Sequence, residues 1–80
     1  MKIKVRIEGE IDVSAIQDIF EALGTTKINL TKSERLKEID ELKEIEDKII
    51  QEATTTLGIN VVIKELIITK SGKYILQAEG

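Results

Sequence analysis

Carboxylates and amines are the side chains of this 80-residue chain with most capacity for chemistry, because it contains no histidine and no cysteine. The usual ligands of zinc, copper and haem, the imidazole general base and the thiol nucleophile are therefore all missing, and no disulfide can form. Glu8, Glu10 and Asp12 crowd three carboxylates into five residues. Their spacing fits a strand running into a turn and a helix cap better than a paired acid and base, because no nucleophile and orienting group accompany them. The sequence has neither a D-x-[DN]-x-[DN]-G loop nor a Gly-rich phosphate cradle, so Asp and Glu lack the frame that calcium, magnesium or nucleotide sites use. No catalytic residue, metal site or cofactor is expected, and the chain is read as a non-enzyme.

Lys2, Lys4 and Arg6 are a second group of chemical interest, alternating along the chain with Ile3, Val5 and Ile7. A period of two puts the charges on one face of a strand and the apolar residues on the other. Together with Lys27 they form the alternative reading of this chain, a nucleic-acid-binding module using the basic face of the first strand. Sheet faces that bind single strands add aromatic platforms, yet Phe20 and Tyr74 are the only aromatic residues and the net charge is −3. Nucleic acid is thus the weaker expectation. The order of strand, two helices and two strands resembles the minimal core of a KH domain. That family's GXXG loop should join the helices, where Gly24-Thr25-Thr26-Lys27 stands without the second glycine.

The elements that must position these residues follow from periodicity. The first strand is expected over Lys2 to Glu8. Asp12 is placed to cap a first helix, with Ile11 and Ile16 spaced as a hydrophobic staple and Val13, Ile16, Ile19, Phe20 and Leu23 on its inner side, ending at Gly24. Thr25 to Leu30 reads as a loop or brief edge strand. Ile59 to Thr69 is β-branched with apolar residues on both faces, as in a strand covered on both sides. Lys70-Ser71-Gly72 fits a three-residue hairpin loop, which sets Leu66 opposite Leu76, Ile67 opposite Ile75 and Ile68 opposite Tyr74. Residues 1–80 then form a single α+β domain, a two-layer α/β sandwich in the order β-α-(short β)-α-β-β.

One long helix from Lys32 to Leu57, opened by a Thr31-x-x-Glu34 capping box and closed by Gly58, is the largest predicted element. Its 26 residues would span roughly 39 Å, more than the width of a compact domain of this size. On a helical wheel, Leu42, Ile45 and Ile49 form one apolar strip and Leu36, Ile39, Ile50 and Leu57 a second, with Glu46 set among them. Either both strips are one broad core-facing stripe, or the second meets another molecule. The segment carries five basic and eight acidic residues and so the whole net charge of the chain.

These features predict a small protein–protein interaction module, acting as a homodimer or as a subunit, inhibitor or adaptor through its long amphipathic helix. Its partner interface is expected at Leu36, Ile39, Glu46, Ile50 and Leu57. The N-terminus lacks the continuous apolar run of a signal peptide, and no run in the sequence approaches membrane-spanning length. An intracellular, cytoplasmic protein without membrane contact is expected.

Overall fold

A computed structural model describes residues 3–58 and 62–80. The predicted α+β sandwich is present: a four-stranded antiparallel sheet carries its helices on one face. Strand β1 (Lys4–Glu10) leads through a 3₁₀ turn (Ser14–Ile16) into helix α1 (Gln17–Leu23), followed by strand β2 (Lys27–Asn29). Helices α2 (Glu34–Lys37) and α3 (Asp40–Leu57) come next, and strands β3 (Val62–Thr69) and β4 (Lys73–Glu79) close the chain. The order across the sheet is β1-β4-β3-β2, which places β1 and β2 at opposite edges.

The hairpin forms in the register its loop chemistry predicts, with Leu66 opposite Leu76, Ile67 opposite Ile75 and Ile68 opposite Tyr74. Gly72 supplies the positive φ of the turn, at 95°. The register shifts between Ile63 and Glu65, so Lys64 is the extra residue of a β-bulge. Beyond it, Ile63 still meets Ala78 on the helix side.

Side chains of alternate strand residues build the core. Leu66, Ile68, Tyr74, Leu76 and Ala78 point at the helices and are buried, as is Ile28 on β2. Leu42, Ile45, Ile49 and Ala53 of α3, with Ile16 and Phe20, meet them from above. Each fully buried aliphatic side chain contributes about 1.5–3 kcal/mol relative to exposure, so this layer contact is the main support of the fold. Ile67 and Ile75 face the other way and are only half-buried, because the sheet's outer face carries no second layer. The expectation of a strand covered on both sides is corrected at this point.

The long helix is corrected as well. It breaks at Glu38 and Ile39: α2 is a single turn, and Ile39 adopts an extended conformation (φ −78°, ψ 121°) at the N-cap of α3. Two forces favour the break. It lets Leu36 and Ile39 both pack against the core, and it places Asp40 and Glu41 in the first turn of a new helix, where carboxylates stabilise the dipole. The continuous helix is 18 residues, about 27 Å, and lies within a molecule 41 Å long, so it does not overhang.

Several caps also move. Ser33, not Thr31, caps α2 by accepting from the Leu36 N–H at 3.4 Å. Thr31 instead donates its N–H and hydroxyl to the Asn29 side chain. Asp12 accepts from the N–H and hydroxyl of Ser14 ahead of the 3₁₀ turn. Gly24 ends α1 in the left-handed conformation as expected, but Leu23 just before it is 52% exposed instead of joining the core. The segment after Gly24 runs into strand β2, so it does not join two helices as a GXXG loop would.

Candidate interaction surfaces

The direction of each backbone group along β1 decides what that strand can bind. Ile3 and Gly80 exchange hydrogen bonds, N–H to carbonyl, at 3.2 and 2.9 Å, and the Ile11 N–H donates to the Gly72 carbonyl at 2.7 Å. Antiparallel pairing alternates, so Val5, Ile7 and Gly9 likewise turn their backbone groups toward β4. Lys4, Arg6, Glu8 and Glu10 turn theirs outward, and no backbone partner meets them there among the described residues. The same alternation sends the Val5 and Ile7 side chains toward the helices and the four charged side chains onto the open face. Every residue with an outward-facing backbone on this edge is thus charged, with two cations followed by two anions.

Arg6 donates to Glu8 at 3.0 Å within this row, both side chains being well exposed. An exposed pair of this kind holds little energy and leaves both groups open to exchange partners. Tyr74 closes the helix side of the edge, its ring lying against Gly9. Burial, and secondarily the charge of Glu52, push its phenol above the ordinary value. Asp12, just beyond the strand, is held below the usual carboxylate value by the hydrogen bonds from the hydroxyl and then the N–H of Ser14.

The residues expected at a helix interface divide. Leu36 and Ile39 pack against the protein's own core. Glu46, Ile50 and Leu57 lie along one side of α3, each half-buried. The Glu46 carboxylate has no hydrogen bond or ion pair among the described residues, and no buried side-chain oxygen there lacks a partner, so it reaches water at the margin of the apolar surface. Large exposed apolar residues occur elsewhere, at Ile3, Leu23 and Val62.

The proposed nucleic-acid contacts do not form one patch. Lys4 and Arg6 share β1 with Glu8 and Glu10, while Lys27 lies on β2 at the opposite edge, three strand spacings or roughly 14 Å away. Lys2 lies outside the described residues. A shallow depression on the open face, bordered by Glu8, Glu10, Lys27, Thr69, Lys73 and Ile75, mixes both signs of charge. No group of three or more carboxylates among the described residues is arranged to hold a metal ion, and no helix is long and apolar enough to cross a membrane. Comparison with protein-family models, with curated proteins and with solved structures finds no match to this chain.

Proposed function

We propose that this chain is a non-enzymatic protein–protein interaction module that works as a homodimer, in the manner of a small subunit or adaptor. The observation that supports it is the outer edge of β1, a seven-residue strand whose outward row of backbone donors and acceptors has no backbone partner among the described residues. Native proteins usually blunt such an edge with charged side chains, a bulge, a proline or a covering loop. Strand β1 does carry charges, but they run from Lys4 and Arg6 to Glu8 and Glu10 and so complement a second copy of the strand. The bulge of this sheet lies instead on β3, an interior strand, and the chain has no proline. The half-buried row Glu46, Ile50 and Leu57 on α3 is a second, smaller surface for the same role. It replaces the overhanging helix as the helical contribution, since Leu36 and Ile39 are engaged internally.

Light scattering after size-exclusion chromatography, over a range of concentrations, tests this reading. The expected result is a mass of two chains at micromolar concentration, with a melting temperature that rises with concentration as mass action requires. A one-chain mass with a concentration-independent melting temperature would overturn it.

A further inference from the structure

We propose that β1 pairs antiparallel with β1 of a second copy about a two-fold axis at Ile7, joining the two four-stranded sheets edge to edge. This rests on the interaction reading above and assigns it a surface, a partner and a register.

The register follows from which backbone groups are free. Among the described residues of β1, Lys4, Arg6, Glu8 and Glu10 face outward, and these are the ones that can form the hydrogen-bonded pairs of a new antiparallel ladder. With the axis at Ile7, Lys4 meets the partner's Glu10 and Arg6 meets the partner's Glu8, and the symmetry repeats both pairs. All four outward residues find a backbone partner, and every facing pair on the open side of the sheet has opposite charge. Opposite charges directly across a ladder are favourable and like charges unfavourable.

Neighbouring registers fail on the same rule. Shifting the axis to Arg6 sets Arg6 against the partner's Arg6, and shifting it to Glu8 sets Glu8 against the partner's Glu8. A like-charge contact at the centre of each slipped arrangement leaves the Ile7-centred one favoured, as sequences that specify against alternatives do. On the helix side the pairing brings Ile7 beside the partner's Ile7 and covers apolar surface that is now half-buried. The internal Arg6–Glu8 pair is well exposed and gives way at small cost.

A charge exchange tests the occupant, read as mass by light scattering. Glu8→Lys with Glu10→Lys makes the edge wholly basic, and Lys4→Glu with Arg6→Glu makes it wholly acidic. Each double variant alone is expected to run at one-chain mass, its self-association at least about tenfold weaker, and an equimolar mixture to regain two-chain mass. Glu8→Pro supplies a second, uncharged test. It deletes an outward N–H without touching the β4 ladder, so a folded monomer with unchanged far-ultraviolet circular dichroism is expected. If the wild type dimerises and all these variants dimerise as well, the β1 pairing is wrong while the interaction reading survives. Loss of dimer in both charge variants without recovery on mixing overturns the edge pairing. A variant carrying Arg6→Glu with Glu8→Arg, whose facing charges stay opposite only with the axis at Ile7, is expected to run at two-chain mass and overturns the register if it is monomeric. A wild type that is itself monomeric overturns both.

Discussion

The Tyr74 ring occupies the space that a side chain on Gly9 would need: a Cβ built at Gly9 stands 2.6 Å from the Tyr74 Oη and 2.7 Å from the ring carbons Cε2 and Cζ. The two residues face each other across the β1–β4 ladder, so Gly9 cannot gain a side chain unless the Tyr74 ring shifts or is shortened.

Gly9→Ala is therefore expected to destabilise the fold by about 1–3 kcal/mol, the usual cost of overpacking. The penalty should shrink in a Tyr74→Leu background, where the shorter side chain leaves room. Denaturant unfolding of the two single variants and the double variant measures the coupling. Simple additivity would show that the ring moves aside freely.

Leu36→Lys with Ile39→Lys should destabilise folding, because both residues pack on the core. Leu42→Ala and Ile49→Ala, at positions with no exposure, should each cost about 2–5 kcal/mol. Ile50→Lys is expected to cost less than either alanine change. Denaturation midpoints rank the four. A fully stable Leu36/Ile39 double variant would return those residues to an outer surface.

Tyr74 is the chain's one tyrosine, so an ultraviolet absorbance titration reports it alone. Burial raises the phenol's pKa in the folded protein, with Glu52 adding to the shift. A raised folded value means the contribution to stability is complete below the unfolded value of about 10 and is lost as pH climbs toward the folded one. Alkaline unfolding should begin there, and Glu52→Gln should lower the phenol's midpoint. Asp12 behaves oppositely. Its lowered pKa gives stability present above about pH 4 that disappears as pH falls through the folded value. Ser14→Ala should raise the Asp12 midpoint in a carbon-13 carboxyl titration.

Gly72→Ala should be more damaging than Gly24→Ala. Both positions have positive φ, but a Cβ at Gly72 would stand 2.7 Å from the Ile11 carbonyl oxygen, whereas one at Gly24 meets nothing within 4 Å. The Gly24 change is expected to cost about 1–2 kcal/mol from backbone conformation alone. Thermal melts of the two variants side by side decide the order.

Labelled single-stranded and duplex oligonucleotides should give flat titrations at moderate salt. Lys4 lies opposite Glu79 and Arg6 pairs with Glu8 on the same face, so few phosphates could be neutralised together. Binding tighter than micromolar that is lost in a Lys4→Ala, Arg6→Ala variant would favour the nucleic-acid reading.

Local chemistry made much of this fold legible. The Lys70-Ser71-Gly72 loop fixed the hairpin register to the residue, and the spacing of Leu42, Ile45 and Ile49 identified the buried side of α3, because turn geometry and helical period are short-range properties. The break at Ile39 was not legible. Leu36 and Ile39 fit a continuous helical wheel equally well, and only the position of the core, built from residues far away in sequence, draws the backbone of Ile39 into an extended conformation. Leu23 shows the same limit: its spacing matches Phe20 and Ile19, yet α1 stops beside it and leaves it over open water. On β1, the alternation of charged and apolar residues was plain from the start. Its meaning for pairing required the direction of the Ile3–Gly80 hydrogen bonds, which no sequence period contains.

The two ends of the sheet are unequal, and this bears on whether the protein can polymerise. The edge opposite β1 is the three-residue strand β2, whose outer side offers room for one or two backbone pairs. Head-to-tail stacking of sheets into a filament needs two adhesive edges per molecule. Here the single long edge would be used up by its own copy, so growth would stop after one step. Solutions should stay clear on prolonged concentration, free of the cross-β fibrils that an unguarded pair of edges invites.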